Sequence, residues 1–332
     1  MPATTPDAAA DLRERVQTRL DSFLARKAGV LAEVGDELVA LLDAATDLLR
    51  GGKRLRPAFC YWGWRGAGGT DTGAEGEAII AAAASLELFQ AAALVHDDLM
   101  DDSDTRRGQP AAHRRFAALH RDQGWAGEPA AFGLAGAVLL GDLLLSWSDE
   151  LLMTSGLALE RLADARVVFD TMRTQLMGGQ YLDILAQVSG AESVQRSRHV
   201  IRFKSAKYSV EAPLLLGGRL ACASDALLTS YSAYGLAVGE AFQLRDDLLG
   251  VFGDPAETGK PAGDDLREGK RTVLVATALE RASAQQASVV RRLLGDPGLS
   301  GAGVDALREV LVDTGARDEV EAMIEQRSRE AL

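Results

Sequence analysis

Two short acidic runs, Asp97-Asp98-Leu99-Met100-Asp101 and Asp246-Asp247-Leu248-Leu249-Gly250, each close a long apolar stretch rich in helix-forming residues. On a helix, the spacing of Asp97 and Asp101 puts their carboxylates on one face. Asp is a poor helix former, and like charges at that spacing repel. Such a cluster therefore requires a compensating cation. Oxygen ligands without Cys or His suit Mg²⁺, which takes one or two carboxylates and completes its shell with water and substrate phosphate. Two clusters from distant segments can grip one diphosphate between them.

Basic residues stand where a diphosphate site needs them. Gly51-Gly52-Lys53-Arg54-Leu55-Arg56-Pro57 sets three cations beside a glycine pair and just before a proline. The glycines free backbone N–H groups in a turn, and Lys53 and Arg56 can converge on one anion. Arg106-Arg107-Gly108, followed by Pro110, is a second basic pair fixed by a turn. Lys204-Ser205-Ala206-Lys207 lies in a helical stretch, and Lys260 and Lys270 lie in the loop after the second acidic run. A single Lys or Arg reads as solvated surface charge, but their spacing around two carboxylate clusters does not. Gly253 to Lys260 is mis-spaced for a phosphate-cradling nucleotide loop, is followed by Pro261 and has no preceding strand.

The elements that must carry these residues read as helices. Hydrophobic residues make up 47% of the 332, aromatics only 5%, and Ala and Leu dominate, which favours helix over sheet. Helical patterns cover roughly 8–27, 31–50, 77–101, 110–121, 131–154, 157–188, 192–221 and 225–251, with loops over 63–76 and 253–270 and shorter helices to the C-terminus. No sustained alternation predicts a sheet. A bundle of long helices can bring the two acidic runs face to face across a cavity.

A net charge of −12 argues against a nucleic-acid surface but leaves a phosphorylated substrate open, because local cations override the global field. Cys60 and Cys222 are too few for a disulfide framework or a zinc site. No secretion signal opens the chain, and a cytoplasmic enzyme is expected. The apolar segment Ala78–Val95 is long enough for a membrane span, but Glu87, Gln90 and its Ala content make a buried core helix the better reading. The four histidines, His96, His113, His120 and His199, form no triad-like group.

In these motifs the chain resembles the trans-isoprenyl diphosphate synthases of the polyprenyl synthetase family, from about Leu38 to Thr272. The match includes Gly-Gly-Lys-Arg-x-Arg-Pro at 51–57, both acidic runs, Arg106-Arg107-Gly108, Gly141-Asp142, Gly179-Gln180-x-x-Asp183, Lys204-Ser205-Ala206, Phe242-Gln243, Gly259-Lys260 and Gly269-Lys270. The resemblance implies an all-α, single-domain bundle around a central substrate cavity (the isoprenoid synthase type I fold), spanning 11–330 after a disordered 1–10. It implies Mg²⁺-dependent condensation of isopentenyl diphosphate with an allylic diphosphate (dimethylallyl, geranyl or farnesyl), with about three ions per site, Mn²⁺ able to substitute, and a homodimer.

Residue by residue, the resemblance assigns Lys53, Arg56, Gln90 and Arg107 to isopentenyl diphosphate. It assigns Arg106, Lys204, Ser205, Gln243, Lys260 and Lys270 to the allylic diphosphate. Asp97, Asp101 and Asp246 hold metal, with Asp98 and Asp247 in support. Two departures stand out: Gly250 replaces the usual third Asp of the second motif, and Ser205 replaces Thr. The first predicts altered affinity for one metal; the second keeps the hydroxyl.

Product length in this family turns on residues just before the first acidic run. Ala92 and Ala93 are small, and Leu88 and Phe89 can form a deeper floor. That pattern predicts geranylgeranyl diphosphate, with longer or fifteen-carbon products as alternatives. A class I terpene cyclase does not need the 51–57 motif, and a non-catalytic subunit would carry degraded motifs, of which Gly250 is the one hint.

Overall fold

The Ala- and Leu-rich sequence folds as helices in a computed structural model that describes residues 6–189, 193–254, 263–296 and 298–332. Packing groups the chain into two compact units, residues 1–166 with 216–223 and residues 167–215 with 224–332.

The first unit contains α1 (Pro6–Val34), α2 (Val39–Leu49), α3 (Leu55–Gly66), α4 (Gly73–Met100), α5 (Ala112–Asp122) and α6 (Pro129–Met153). Helix α4 is apolar on every side, a pattern stable only when surrounded. It packs against α1, α2, α3, α5 and α6. Its most apolar window is 83% buried, as expected of a core helix rather than a span. Its last turn carries the first acidic run.

The second unit takes up α7 (Leu159–Ser189) from Val167 onward, and α8 (Val194–Val200), which continues through a π-helical segment, Ile201–Glu211, into α9 (Ala212–Leu220), whose residues from Leu216 on belong to the first unit. Helix α10 (Asp225–Phe252) starts at Ser224, whose hydroxyl accepts the Leu227 N–H at 3.3 Å. Its inward residues Leu244, Leu248 and Val251 join Leu266, Val273, Leu307 and Val320 in a core. That core locks α10 against α11 (Asp264–Arg267), α12 (Val273–Arg281) and α15 (Ala316–Glu330); α13 (Ala284–Leu293) and α14 (Gly301–Asp313) complete the unit.

The all-α expectation holds, with corrections at element ends. Helix α1 starts at Pro6 and runs unbroken through Gly29 to Val34. Leu55–Gly66 is a helix that the sequence reading left out, and the loop expected over 63–76 shrinks to 67–72. Pro57 misleads there: it sits in the first turn, where its missing N–H has no intrahelical partner to lose. A two-residue antiparallel ribbon, β1 (Thr105–Arg106) with β2 (Gln109–Pro110), is the β structure among the described residues. It closes through Arg107 and Gly108, both at positive φ (54° and 74°), as a primed two-residue turn requires. Lys260 lies outside the described residues.

Candidate active site

In the first unit, helix α4 sets Asp97 and Asp101 one turn apart at its C-terminal end, with Asp101 as the capping residue and its N–H on Asp97 O at 2.9 Å. Carboxylates there add negative charge to the negative end of the helix dipole. The arrangement costs stability unless a cation answers it. Asp97 and Asp101 are half-buried, whereas Asp98 is buried. Arg106 holds Asp98 from Nε, at 2.9 and 3.2 Å to the two carboxylate oxygens, and from Nη2. Burial raises the Asp98 carboxyl above its usual range, while Arg106 works the other way. Arg106 is thus committed in part to Asp98, which supports the cluster from within.

The adjacent Arg107 turns to the other basic motif. Its Nη1 donates to Leu48 O at 3.5 Å, and a β-carbon on Gly52 would lie 3.4 Å from both of its terminal nitrogens. The ribbon therefore ties the acidic end of α4 to the Gly51–Lys53 loop. A cavity of about 570 Å³ opens beside it, lined by Leu48, Arg50, Arg106, Arg107 and Arg115 among others. Lys53 is exposed and Arg56 half-buried at the start of α3. Gln90 is half-buried on α4, two turns before Asp97.

Beneath this loop lies an ion pair that the sequence reading passed over. Arg54 Nη1 meets Glu87 Oε2 at 2.5 Å, with side chains only 2% and 7% exposed. Arg54 Nη2 also donates to Gln17 Oε1 at 2.6 Å and to Leu49 O. A lone Glu in an apolar run was the available signal, because a buried carboxylate must have a partner. His96 packs against α6 where a β-carbon on Gly141 would enter its ring, with Nε2 3.4 Å from Val138 O, a structural setting.

Upstream on α4, Leu88, Phe89 and Ala92 are fully buried, and Ala93 is half-buried. Ala93 and Phe89 lie one and two turns back from Asp97 on its face.

In the second unit, Lys204 and Ser205 belong to the π-helical segment, a rare form that concentrates at functional sites. Its wider girth is met by glycines. A β-carbon on Gly179 of α7 would lie 2.7 Å from Lys204 N, and β-carbons on Gly235 and Gly239 of α10 would lie 2.6 Å from Glu211 Cα and Ala206 Cα. Lys204 Nζ donates to Asp183 Oδ2 at 2.6 Å, which gives the Gly179-Gln180-x-x-Asp183 motif a role that the sequence alone did not specify.

On α10, Asp246 is exposed and Asp247 buried. Burial pushes the Asp247 carboxyl up to about 7, against the Gln243 amide that donates to its Oδ1 at 2.8 Å. Lys270 Nζ lies 3.0 Å from Asp265 Oδ1 and 2.6 Å from Glu268 Oε2. Burial works against the lysine's charge, but the two carboxylates hold its pKa well above the usual value. Among the described residues no group of three or more His, Cys, Asp or Glu forms a ready metal cage. Carboxylates of this kind suit a hard cation that keeps water and phosphate in its shell.

Helices, paired acidic runs and flanking cations together define a class of helical prenyltransferase that builds isoprenoid chains on diphosphate substrates. The polyprenyl synthetase profile matches residues 39–310, and the chain belongs to that family. It is 33% identical to a geranylfarnesyl diphosphate synthase of Aeropyrum pernix over 85% of this chain and 82% of that protein. It is 32% identical to a geranylgeranyl diphosphate synthase of Saccharolobus solfataricus over 74% and 68%. A crystal structure of geranylgeranyl pyrophosphate synthase from Corynebacterium glutamicum, complexed with isoprenyl diphosphate and magnesium, superposes with a TM-score of 0.91 at 42% identity, covering 97% of this chain and 92% of that one. The fold is that of the isoprenoid synthases.

Proposed function

We propose that the chain condenses isopentenyl diphosphate head to tail with an allylic diphosphate, releasing diphosphate and making all-trans geranylgeranyl diphosphate. The observation that carries this reading is the ribbon whose Arg106 grips Asp98 while Arg107 rests beside Gly52. It couples a basic pocket for one diphosphate to an acidic cluster for another. A terpene cyclase, which takes a single diphosphate, has no use for that coupling.

In this reaction the C1–O bond of the allylic substrate breaks, leaving an allylic cation and diphosphate. The alkene of isopentenyl diphosphate attacks that cation, and the proton then lost passes to the departing diphosphate. When bound, Mg²⁺ supplies Lewis-acid stabilisation of the leaving group. Asp97, Asp101 and Asp246 would hold it, with Asp98 and Asp247 bracing them. Arg106, Lys204, Ser205, Gln243, Lys260 and Lys270 bind the allylic diphosphate and offset the charge that develops on it. Lys53, Arg56, Gln90 and Arg107 hold isopentenyl diphosphate. No protein nucleophile is required.

The small, half-buried Ala93 above the buried Phe89 supports a twenty-carbon product, as does the name of the Corynebacterium relative. The Aeropyrum relative's name favours one unit more as the second reading. A homodimer in the cytoplasm completes the proposal. Its support is α6, which carries no charged residue from Pro129 to Gly141 and leaves Leu134 and Leu139 more than half exposed (53% and 59%).

The test is incubation of purified protein with Mg²⁺, isopentenyl diphosphate and each allylic diphosphate, followed by chromatography of the dephosphorylated products. Geranylgeraniol is expected, shifting to farnesol in Ala93→Phe because a close-packed wall cannot absorb the ring. A hydrocarbon formed from the allylic substrate alone would make the chain a cyclase. No product from any pair would overturn the reading.

A further inference from the structure

The π-helical segment Ile201–Glu211 carries Lys204 and Ser205, and the glycines that face it leave room for its width. Its last turn is held by a polar clamp. Glu211 is only 4% exposed, and both of its carboxylate oxygens are taken. Lys207 Nζ, one turn back on the segment, donates to Oε2 at 2.6 Å, and Ser232 Oγ on α10 donates to Oε1 at 2.6 Å. The backbone closes the same turn with the Ala212 N–H on Lys207 O, the wider spacing of a π-helix rather than that of an α-helix. Helix α10 comes so close there that a β-carbon on Gly235 would lie 2.6 Å from Glu211 Cα.

A carboxylate in this interior costs stability unless its partners offset it, and an apolar side chain would fill the place without that cost. What the carboxylate contributes is direction. In an α-helix, Lys204 and Lys207 would stand at i and i+3 and share a face. The wider turn rotates each successive residue less, so the two lysines diverge. Lys204 reaches Asp183 on α7, and Lys207 reaches Glu211. Ser232 then ties Glu211, and with it the end of the segment, to α10.

We propose that Glu211 and Ser232 are positioning residues for Lys204: their clamp pins the end of the π-helical segment to α10 and fixes the register in which Lys204 meets the allylic diphosphate. The proposal rests on the reading above, in which Lys204 binds that substrate. Neither residue has to touch substrate. Both act on the allylic diphosphate through Lys204 and leave isopentenyl diphosphate unaffected.

The experiment compares Ser232→Ala, Ser232→Thr and Glu211→Gln with the unaltered protein. It uses steady-state kinetics with each substrate varied in turn, and hydrogen–deuterium exchange over residues 201–211. Ser232→Ala is expected to raise the KM for the allylic diphosphate about tenfold, the worth of one hydrogen bond to a charged group. The KM for isopentenyl diphosphate should stay unchanged, and amide exchange over 201–211 should quicken. Glu211→Gln keeps the shape, loses the charge that holds Lys207, and should act in the same direction. Ser232→Thr keeps the hydroxyl and should restore both readouts. An unchanged allylic KM in active Ser232→Ala, equal losses for both substrates, or unchanged exchange over 201–211 would overturn the proposal. Absent product from the unaltered protein would instead fail the prenyltransferase reading; the exchange measurement needs no turnover and then decides the clamp alone. If Glu211→Gln fails to fold, Ser232→Ala still decides.

Discussion

In each acidic run the two adjacent aspartates have divided their work. Successive helix residues point about 100° apart, so when Asp97 and Asp246 face outward, Asp98 and Asp247 turn in. The inward pair takes a hydrogen-bonding partner each, Arg106 and Gln243, and their carboxyls are raised by burial. In the proposed function the outward pair holds the metal. The same logic separates the cations: Lys53 stands exposed in the first unit, while Lys204 is held by Asp183 in the second. Lys53→Ala should raise the KM for isopentenyl diphosphate about ten- to a hundredfold, the worth of one charge-assisted contact, with little change for the allylic partner. Lys204→Ala should do the reverse. Steady-state kinetics with each substrate varied in turn checks this, and equal losses for both substrates in both variants would dissolve the division.

At the scale of elements, the long helices were legible because their apolar residues recur at helical spacing, as Leu244, Leu248 and Val251 do on α10. Helix α3 was not, because Gly51, Gly52 and Pro57 are all turn residues in isolation, and only tertiary packing of Cys60 and Trp64 declares the helix behind them. The π-helical segment was also hidden. Its cause lies in Gly179, Gly235 and Gly239, far away in sequence, which leave room for a wider turn. The motif residues, Asp183 among them, were legible from their types and order, whereas the pairings Lys204–Asp183 and Arg54–Glu87 were not, because a partner is chosen by packing and not by spacing.

The Arg54–Glu87 pair shows what such a partner does. It ties the loop before α3 to the middle of α4, three turns above Asp97. Arg54→Met leaves Glu87 buried without its counter-ion and should cost about 3–5 kcal/mol of stability. Arg54→Met/Glu87→Met should recover most of that by replacing the pair with apolar bulk, yet still show a raised KM for isopentenyl diphosphate, because the loop has lost its tether. Denaturant unfolding and substrate kinetics on the two variants read these effects separately. A single variant as stable as the parent would mean that the pair does not hold the loop.

On the scale of the whole molecule, the unexplained feature is α6. Its inward stripe of Gly133, Ala137, Leu140, Leu144 and Leu151 is satisfied by the helices it packs on. Its outer surface presents Phe132, Leu134, Val138 and Leu139, with Trp125 stacked edge-on against Phe132 at 5.2 Å. By length and composition the helix could cross a membrane, and only 33% of its most apolar window is buried within the chain. An apolar surface of that kind is normally covered, and a second copy of the same chain offers a matching face by two-fold symmetry. Leu139→Glu places a charge in the centre of that surface, where burial without a partner is prohibitive. It should convert a dimer into monomers in sedimentation velocity, with circular dichroism unchanged because Leu139 has no part in the inward stripe. A parent protein that sediments as a monomer, or one recovered with lipid vesicles, would assign the surface to another partner.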